Sequence, residues 1–139
     1  MEVKDRKLAA KLEDLIEESE RYYGESDYEG FVKVSLKAWN VLPIPREIYD
    51  ESYHIAEGLA EGYLLIGNHE EAIKWAEIMG NCDMERADDG AREFVLGKML
   101  YESGDLENSR EKFVLAMIKS EGRAFVNEPK KYIEFLRKK

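Results

Sequence analysis

The apolar residues of this chain recur at the three- and four-residue spacing of amphipathic helices along almost its whole length. Residues 5–23 are predicted as a first helix, which Gly24 ends by supplying a left-handed turn. Asp27 then has the position of an N-cap, and a second helix runs from Tyr28 to the break at Pro43. No stretch alternates apolar and polar residues long enough to predict a strand. The predicted fold class is therefore all-α.

Three turns along the chain share one pattern, at residues 22–31, 63–72 and 100–109. Each turn ends a helix with an aromatic or aliphatic residue, reverses at a small residue, places Asp or Asn at the next cap and enters another helix. Their offsets of 41 and 37 residues lie in the range that is typical of helical repeat proteins. The chain is therefore predicted to be built from repeated helix pairs.

These repeats resemble the tetratricopeptide repeat (TPR) family, whose unit is a helix-turn-helix of about 34 residues. The motif positions of the third repeat are Leu96-Gly97, Leu100, Gly104-Asp105, Ser109, Phe113 and Ala116. Those of the second are Leu59-Ala60, Tyr63, Gly67-Asn68, Ala72 and Met79, and those of the first are Leu15, Tyr22, Asp27-Tyr28, Phe31, Ala38 and Pro43. The pattern departs from the family at Glu18-Ser19, at Ala76 and in lacking a proline after the second and third repeats.

The resemblance implies a single TPR-like domain over residues 1–139, formed by a right-handed stack of three helix hairpins and a C-terminal capping helix. The hairpins are expected at 5–43, 45–80 and 83–120, and the capping helix at 124–139. In the last segment the spacing of Tyr132, Ile133, Phe135 and Leu136 predicts an apolar face toward the third hairpin.

Small residues and caps predict how the helices meet. Ala60 and Gly97 are expected at close helix crossings, and replacing Gly97 by leucine is expected to force its helices apart. Asp83 is expected to cap the fifth helix, with Cys82 beside it as a connector residue.

The net charge of the chain argues against some classes of binding partner. The formal net charge is −9, which repels phosphate backbones and anionic lipid. A basic tail at residues 129–139 leaves nucleic-acid binding as an alternative, but the rest of the chain carries −13 and argues against it. The single cysteine, the absence of a leader-like apolar run and the absence of a membrane-spanning stretch lead us to expect a cytoplasmic protein. The lack of Thr and Gln favours a heat-loving source.

Few groups of residues in the sequence indicate a catalytic or metal-binding site. Glu51, His54 and Glu57 share one helix face, and Glu-x-x-His is half of a di-iron site, but no second such motif exists in the sequence. The pairs Glu70-Glu71 and Asp88-Asp89 are explained by helix starts, where acids are favoured. Phosphate-loop, dinucleotide, zinc-protease and nucleophile-elbow motifs are absent. We therefore expect neither enzyme activity nor a metal or cofactor.

What remains is a surface for another protein. In proteins resembling this one, the first helix of each hairpin lines a concave groove that holds a peptide. Repeat alignment places on that groove Glu13, Ile16, Glu20, Tyr23, His54, Glu57, Glu61, Leu64, Phe94, Lys98 and Tyr101. Chaperone-binding members hold a peptide carboxylate with Lys, Arg and Asn at such positions, but here those positions are mostly acidic or apolar, so that carboxylate clamp is absent. An acidic groove with aromatic residues favours a partner segment that is basic and apolar. The alternative for these residues is that the aromatics belong to the core and the acids are ordinary solvated charge. The alternative function is self-association as a homodimer or complex subunit.

Overall fold

The computed structural model describes residues 1–138, and all of their regular structure is helical. Seven α-helices span Arg6–Gly24 (α1), Tyr28–Val41 (α2), Ser52–Leu65 (α3), His69–Met79 (α4), Ala91–Ser103 (α5), Leu106–Ser120 (α6) and Lys130–Arg137 (α7). Short 3-10 turns occupy Arg46–Ile48 and Arg123–Phe125. These residues contain no strand, so the all-α prediction is confirmed. None of their helices combines the length and the apolar character that crossing a bilayer requires.

The second helix of each hairpin begins with the same kind of side-chain N-cap. The side chains of Asp27, Asn68 and Asp105 each accept a hydrogen bond from the backbone N–H three residues further on, at 2.9, 3.1 and 3.3 Å. Each bond satisfies an amide that the helix itself leaves unpaired. The repeated turns of the sequence therefore fold into repeated caps.

The predicted left-handed turn at Gly24 is wrong. Gly24 is the last residue of α1, and the positive φ falls two residues later, at Ser26 (φ 59°). The helix continues through Gly24 because the amide of Glu25 still donates to the Arg21 carbonyl at 3.1 Å. The left-handed residue of this turn is therefore Ser26, which directly precedes the N-cap residue Asp27.

The predicted cap at Asp83 is also wrong. The α5 helix begins at Ala91, whose amide donates to the side chain of Asp89 at 3.0 Å. The amide of Asp83 instead donates to the carbonyl of Glu47 at 3.1 Å, which ties this connecting residue to the 3-10 turn before α3. The local sequence predicted that Asp83 caps α5, but Asp83 makes a tertiary hydrogen bond instead.

The chain divides into two compact units. The first, Met1–Glu85, contains α1 to α4, in which α1 packs on α2, α2 on α3 and α3 on α4. Ala56, Leu59 and Ala60 are fully buried on α3. Trp39 on α2 and Trp75 on α4 meet edge to face, with ring centroids 5.2 Å apart.

The second unit begins at Arg86 and contains α5, α6 and α7. Gly97 lies at the crossing of α5 and α6, where a Cβ atom would stand 2.6 Å from the ring of Phe113. One buried core cluster of this unit is largely aromatic and comprises Phe94, Phe113, Ala116, Phe125 and Tyr132. Ile133, Phe135 and Leu136 of α7 pack against this core. Lys139, the last residue of the predicted capping segment, lies outside the described residues.

Candidate functional site

The first unit contains a groove bounded by α1, α2 and α3. Its deeper part is a cavity of about 480 Å³ lined by Ile16, Ser19, Glu20, Phe31, Ser35, Ala38, Asp50, Glu51, His54, Ile55 and Gly58. A second cavity of about 380 Å³ extends it along α1 and is lined by Glu2, Val3, Ala9, Leu12, Glu13, Ile16, Glu17, Glu20 and Glu51. Because the two cavities share Ile16, Glu20 and Glu51, they form one continuous surface, called here the α1–α3 groove.

The floor of the groove exists because small residues face it from all three helices. Ser19, Ser35, Ala38 and Gly58 occupy positions where larger side chains would fill the deeper cavity. A Cβ atom at Gly58 would lie 3.1 Å from the ring of Phe31, so the glycine allows that ring to approach α3 closely. The hydroxyl of Ser19 donates to the Ile16 carbonyl at 2.7 Å. The floor is therefore mainly apolar to an incoming group.

The rim of the groove is acidic. Six carboxylates line it, from Glu2, Glu13, Glu17, Glu20, Asp50 and Glu51, and no Lys or Arg occurs among the described residues that line the two cavities. The α-amino group of Met1 lies 2.5 Å from Asp50 and pairs with it. Glu13, Glu17 and Glu20 are exposed on α1. Their four- and three-residue spacing makes a stripe of about 10 Å along one helix face.

Glu51 is the carboxylate most affected by this environment. Partial burial raises the pKa of its side chain, and the negative charges of Asp50 and Glu2 raise it further. A hydrogen bond to its own backbone and the positive α-amino group act in the opposite direction but do not outweigh these effects. Ionisation of Glu51 in the folded protein therefore costs free energy, and a cation in the groove would reduce that cost.

Four of the residues expected in a groove line the α1–α3 groove: Glu13, Ile16, Glu20 and His54. Tyr23 is 48% exposed beside it, and its ring meets that of Phe31 at 5.3 Å. Glu57, Glu61 and Leu64, also on α3, line neither cavity.

The last three expected residues belong to the second unit. Phe94 is only 5% exposed and meets Phe125 and Tyr132 edge to face, at centroid distances of 5.0 and 5.9 Å. Tyr101 meets Tyr132 in the same manner at 5.3 Å. Lys98 is half-buried, and its charge contributes to lowering the pKa of Glu102. In this unit α7 thus covers the aromatic side chains that alignment assigns to a groove.

Sequence reasoning missed Glu17, Ser35 and Asp50 as lining residues. It placed Glu51 on one helix face with His54, and both side chains line the deeper cavity. Glu17 lies four residues after Glu13, so helical spacing alone could have identified it as a lining residue. Asp50 lies outside any helix, between the turn at Arg46–Ile48 and α3, so helical periodicity contains no information on its position.

Other candidate chemistry gains no geometric support in the described part of the chain. No group of three or more His, Cys, Asp or Glu side chains there is arranged to hold a metal ion. Cys82 is fully buried, and its thiol donates to the Ile78 carbonyl at 3.3 Å.

No protein-family model matches this chain, and no curated protein matches it. The case for a function therefore rests on the groove itself.

Proposed function

We propose that this chain is a non-catalytic, TPR-like protein-interaction module whose α1–α3 groove binds a partner segment that combines apolar and Lys or Arg side chains. The observation that carries the proposal is the combination of an apolar floor with a rim of six carboxylates. The proposal needs no cofactor and places the protein in the cytoplasm, with another protein or a peptide as its partner.

Charge complementarity supports the basic character of the partner. Exposed carboxylates on one rim attract a cationic segment from a distance and repel acidic competitors. Lys and Arg also carry aliphatic stems, which can lie on Ile16 and Ile55 while their charged ends reach the rim. A cation beside Glu51 would relieve the cost of keeping that carboxylate ionised.

The size of the deeper cavity supports an apolar anchor. A volume of about 480 Å³ lies within the usual range for sites that enclose small molecules, and it has room for one or two large side chains. Its floor of small residues and the Phe31 ring offers such an anchor dispersion contacts. An anchor and a basic flank together would fix the position of the segment.

The repeated architecture supports a TPR-like assignment. Caps at Asp27, Asn68 and Asp105 recur at the offsets of the sequence repeat, and each opens the second helix of a hairpin. The groove lies against the first helices of the first two hairpins, α1 and α3, which is where the resemblance places a peptide.

The test is titration calorimetry with two peptides that share the same apolar residues and differ only in Lys against Glu. We expect the Lys peptide to bind and the Glu peptide not to bind. The variant Glu13→Gln/Glu17→Gln/Glu20→Gln should weaken the Lys peptide about tenfold, because it removes three exposed ion pairs. The matched control Glu29→Gln/Glu70→Gln/Glu77→Gln changes the charge equally, at exposed positions outside the groove, and should leave binding unchanged.

Preference for the Glu peptide, or an equal loss in the control variant, would contradict the proposal. The first result would remove the argument from charge, and the second would show that net charge rather than the groove attracts the peptide.

A second candidate function is self-association, which an apolar patch on α6 favours. Val114, Leu115 and Ile118 are 41, 37 and 69% exposed on one side of this helix. Sedimentation velocity over a range of concentrations tests this candidate. A dimer that the Ile118→Lys variant dissociates would support it, and a monomer at all concentrations would exclude it.

A further inference from the structure

We infer that the segment bound in the α1–α3 groove is an α-helix rather than an extended strand, an inference that rests on the proposed function and specifies its partner. The partner is an amphipathic helix with an apolar face toward the floor and Lys or Arg residues at helical spacing toward α1.

The groove is short of side-chain hydrogen-bond donors. An extended peptide presents its backbone carbonyl groups to the surface that binds it, and each one removed from water needs a donor. Carboxylates only accept, and the hydroxyl of Ser19 already donates to the Ile16 carbonyl. Among the described lining residues, the side-chain donors that remain are Ser35 and His54. A helix satisfies its own backbone and presents only side chains, so it suits this lining better.

The carboxylates that α1 contributes to the rim follow helical spacing. Glu13, Glu17 and Glu20 form a stripe along one face of α1, beside the apolar floor formed by Ile16 and Ile55. A helix that lies along α1 presents residues at the same spacing on one side and apolar residues on the adjacent side. One face of the ligand can therefore meet the carboxylates while its neighbouring face meets the floor.

In the second unit, the chain covers the residues that repeat alignment assigns to a groove with its own basic amphipathic helix, α7. Phe94 and Tyr101 occupy groove positions in the repeat alignment, and both contact Tyr132 of α7. Beside this contact, the Lys131 ammonium pairs with Glu102 at 2.6 Å. An amphipathic helix held on a hairpin by aromatic contacts and a Lys–Glu pair is thus a combination that this chain already uses.

The experiment compares two peptides of identical composition. In one, Leu and Lys residues follow helical spacing, and in the other they alternate as in a strand. We expect the helical pattern to bind at least about tenfold more tightly and to gain helical ellipticity in the complex. Proline at the centre of the helical peptide should lower its affinity by at least about tenfold, whereas proline at its first helical position should be tolerated.

The outcomes separate this inference from the proposed function. If the alternating peptide binds as tightly, or the central proline has no effect, the ligand is not helical and the inference is overturned, while the groove remains a binding site. If neither Lys peptide binds, the proposed function itself fails. If binding of the helical peptide survives in the Glu13→Gln/Glu17→Gln/Glu20→Gln variant, the charged stripe does not guide it and the inference also fails.

Discussion

The hydroxyl of Ser109 on α6 donates a hydrogen bond of 2.7 Å to the backbone carbonyl oxygen of Gly97 on α5. Ser109 is fully buried, so the bond forms where water cannot replace it. It requires the two helices to approach closely, and the missing side chain of Gly97 permits that approach. The ring of Phe113 fills the remaining space, at distances that leave no room for a methyl group. One glycine therefore sets the spacing of the third hairpin.

Replacing Gly97 by alanine should destabilise the second unit by about 1 to 3 kcal/mol, because overpacking exceeds the gain in helix propensity. The added Cβ would stand 2.6 Å from the Phe113 ring, which is fully buried and cannot move freely. Denaturant unfolding followed by circular dichroism measures the change. Gly24→Ala is the matched control, since no atom lies within 4 Å of a Cβ atom there, and its stability should stay equal or rise. Equal effects of the two variants would contradict the close crossing.

Glu102 should make the second unit sensitive to acid. Burial alone would raise the pKa of its carboxyl, but hydrogen bonds from Lys131 and Tyr132 and the charges of Lys131 and Lys98 outweigh burial and lower that pKa. A lowered folded-state pKa gives stability that is present above the ordinary value of 4.5 and is lost as the pH falls through the folded-state value.

The Glu102→Gln variant should therefore be less stable than the native chain at neutral pH, by about 1 kcal/mol. The difference should shrink as the pH is lowered through the acidic range. Unfolding curves at several pH values measure it. A difference that stays constant with pH would show that the carboxylate charge contributes nothing.

Glu51→Gln should raise stability and weaken binding at the same time. Because the folded-state pKa of Glu51 is raised, ionisation costs stability at every pH above that raised value, and glutamine removes the cost. The same substitution deletes a carboxylate of the groove rim, so the affinity for the Lys peptide should fall severalfold. Thermal unfolding and calorimetry of one variant measure both effects. A loss of stability would contradict the raised pKa, and unchanged affinity would remove Glu51 from the site.

Arg110 should hold α7 in place. Its guanidinium donates to the carbonyl groups of Phe135 and Leu136 at 2.9 and 3.1 Å and lies 4.4 Å from the centroid of the Phe135 ring. Lysine cannot reproduce this fork and stacking, so Arg110→Lys should cost about 1 kcal/mol and increase amide exchange in α7. Hydrogen exchange with mass spectrometry localises the effect. The exposed Arg6, replaced by lysine, serves as the control and should leave α7 unchanged. Normal protection of α7 in Arg110→Lys would contradict the role of Arg110.

The parts of the fold that depend on local sequence could be predicted. The caps at Asp27 and Asp105 follow from side chains that reach the next amides of their own helix, and the crossing at Gly97 follows from the repeat pattern. The helix start expected at Asp88-Asp89 was predictable, because the side chain of Asp89 accepts from the nearby amide of Ala91. The role of Asp83 was not predictable, because its amide donates to a carbonyl 36 residues earlier in the chain, that of Glu47. Long-range partners of this kind leave no periodic signal.

The candidate site was also predictable only in part, because the sequence shows helical phase but not long-range contacts. Glu13, Ile16 and Glu20 follow the helical phase of α1, and the structure places all three in the groove. Helical phase identifies which side of a helix a residue occupies but not what covers that side. Phe94 and Tyr101 have the spacing of groove residues, yet α7 packs over them. Burial by another helix of the same chain is a tertiary property.

The edge-to-face pair of Trp39 and Trp75 gives the protein a label-free optical probe. These are the only two tryptophans of the sequence, both belong to the first unit, and they are 8 and 5% exposed. Indole emission therefore reports on the first unit alone, whereas peptide ellipticity reports on every helix. A comparison of the two signals during a single melt shows whether the two units lose their structure together or one after the other.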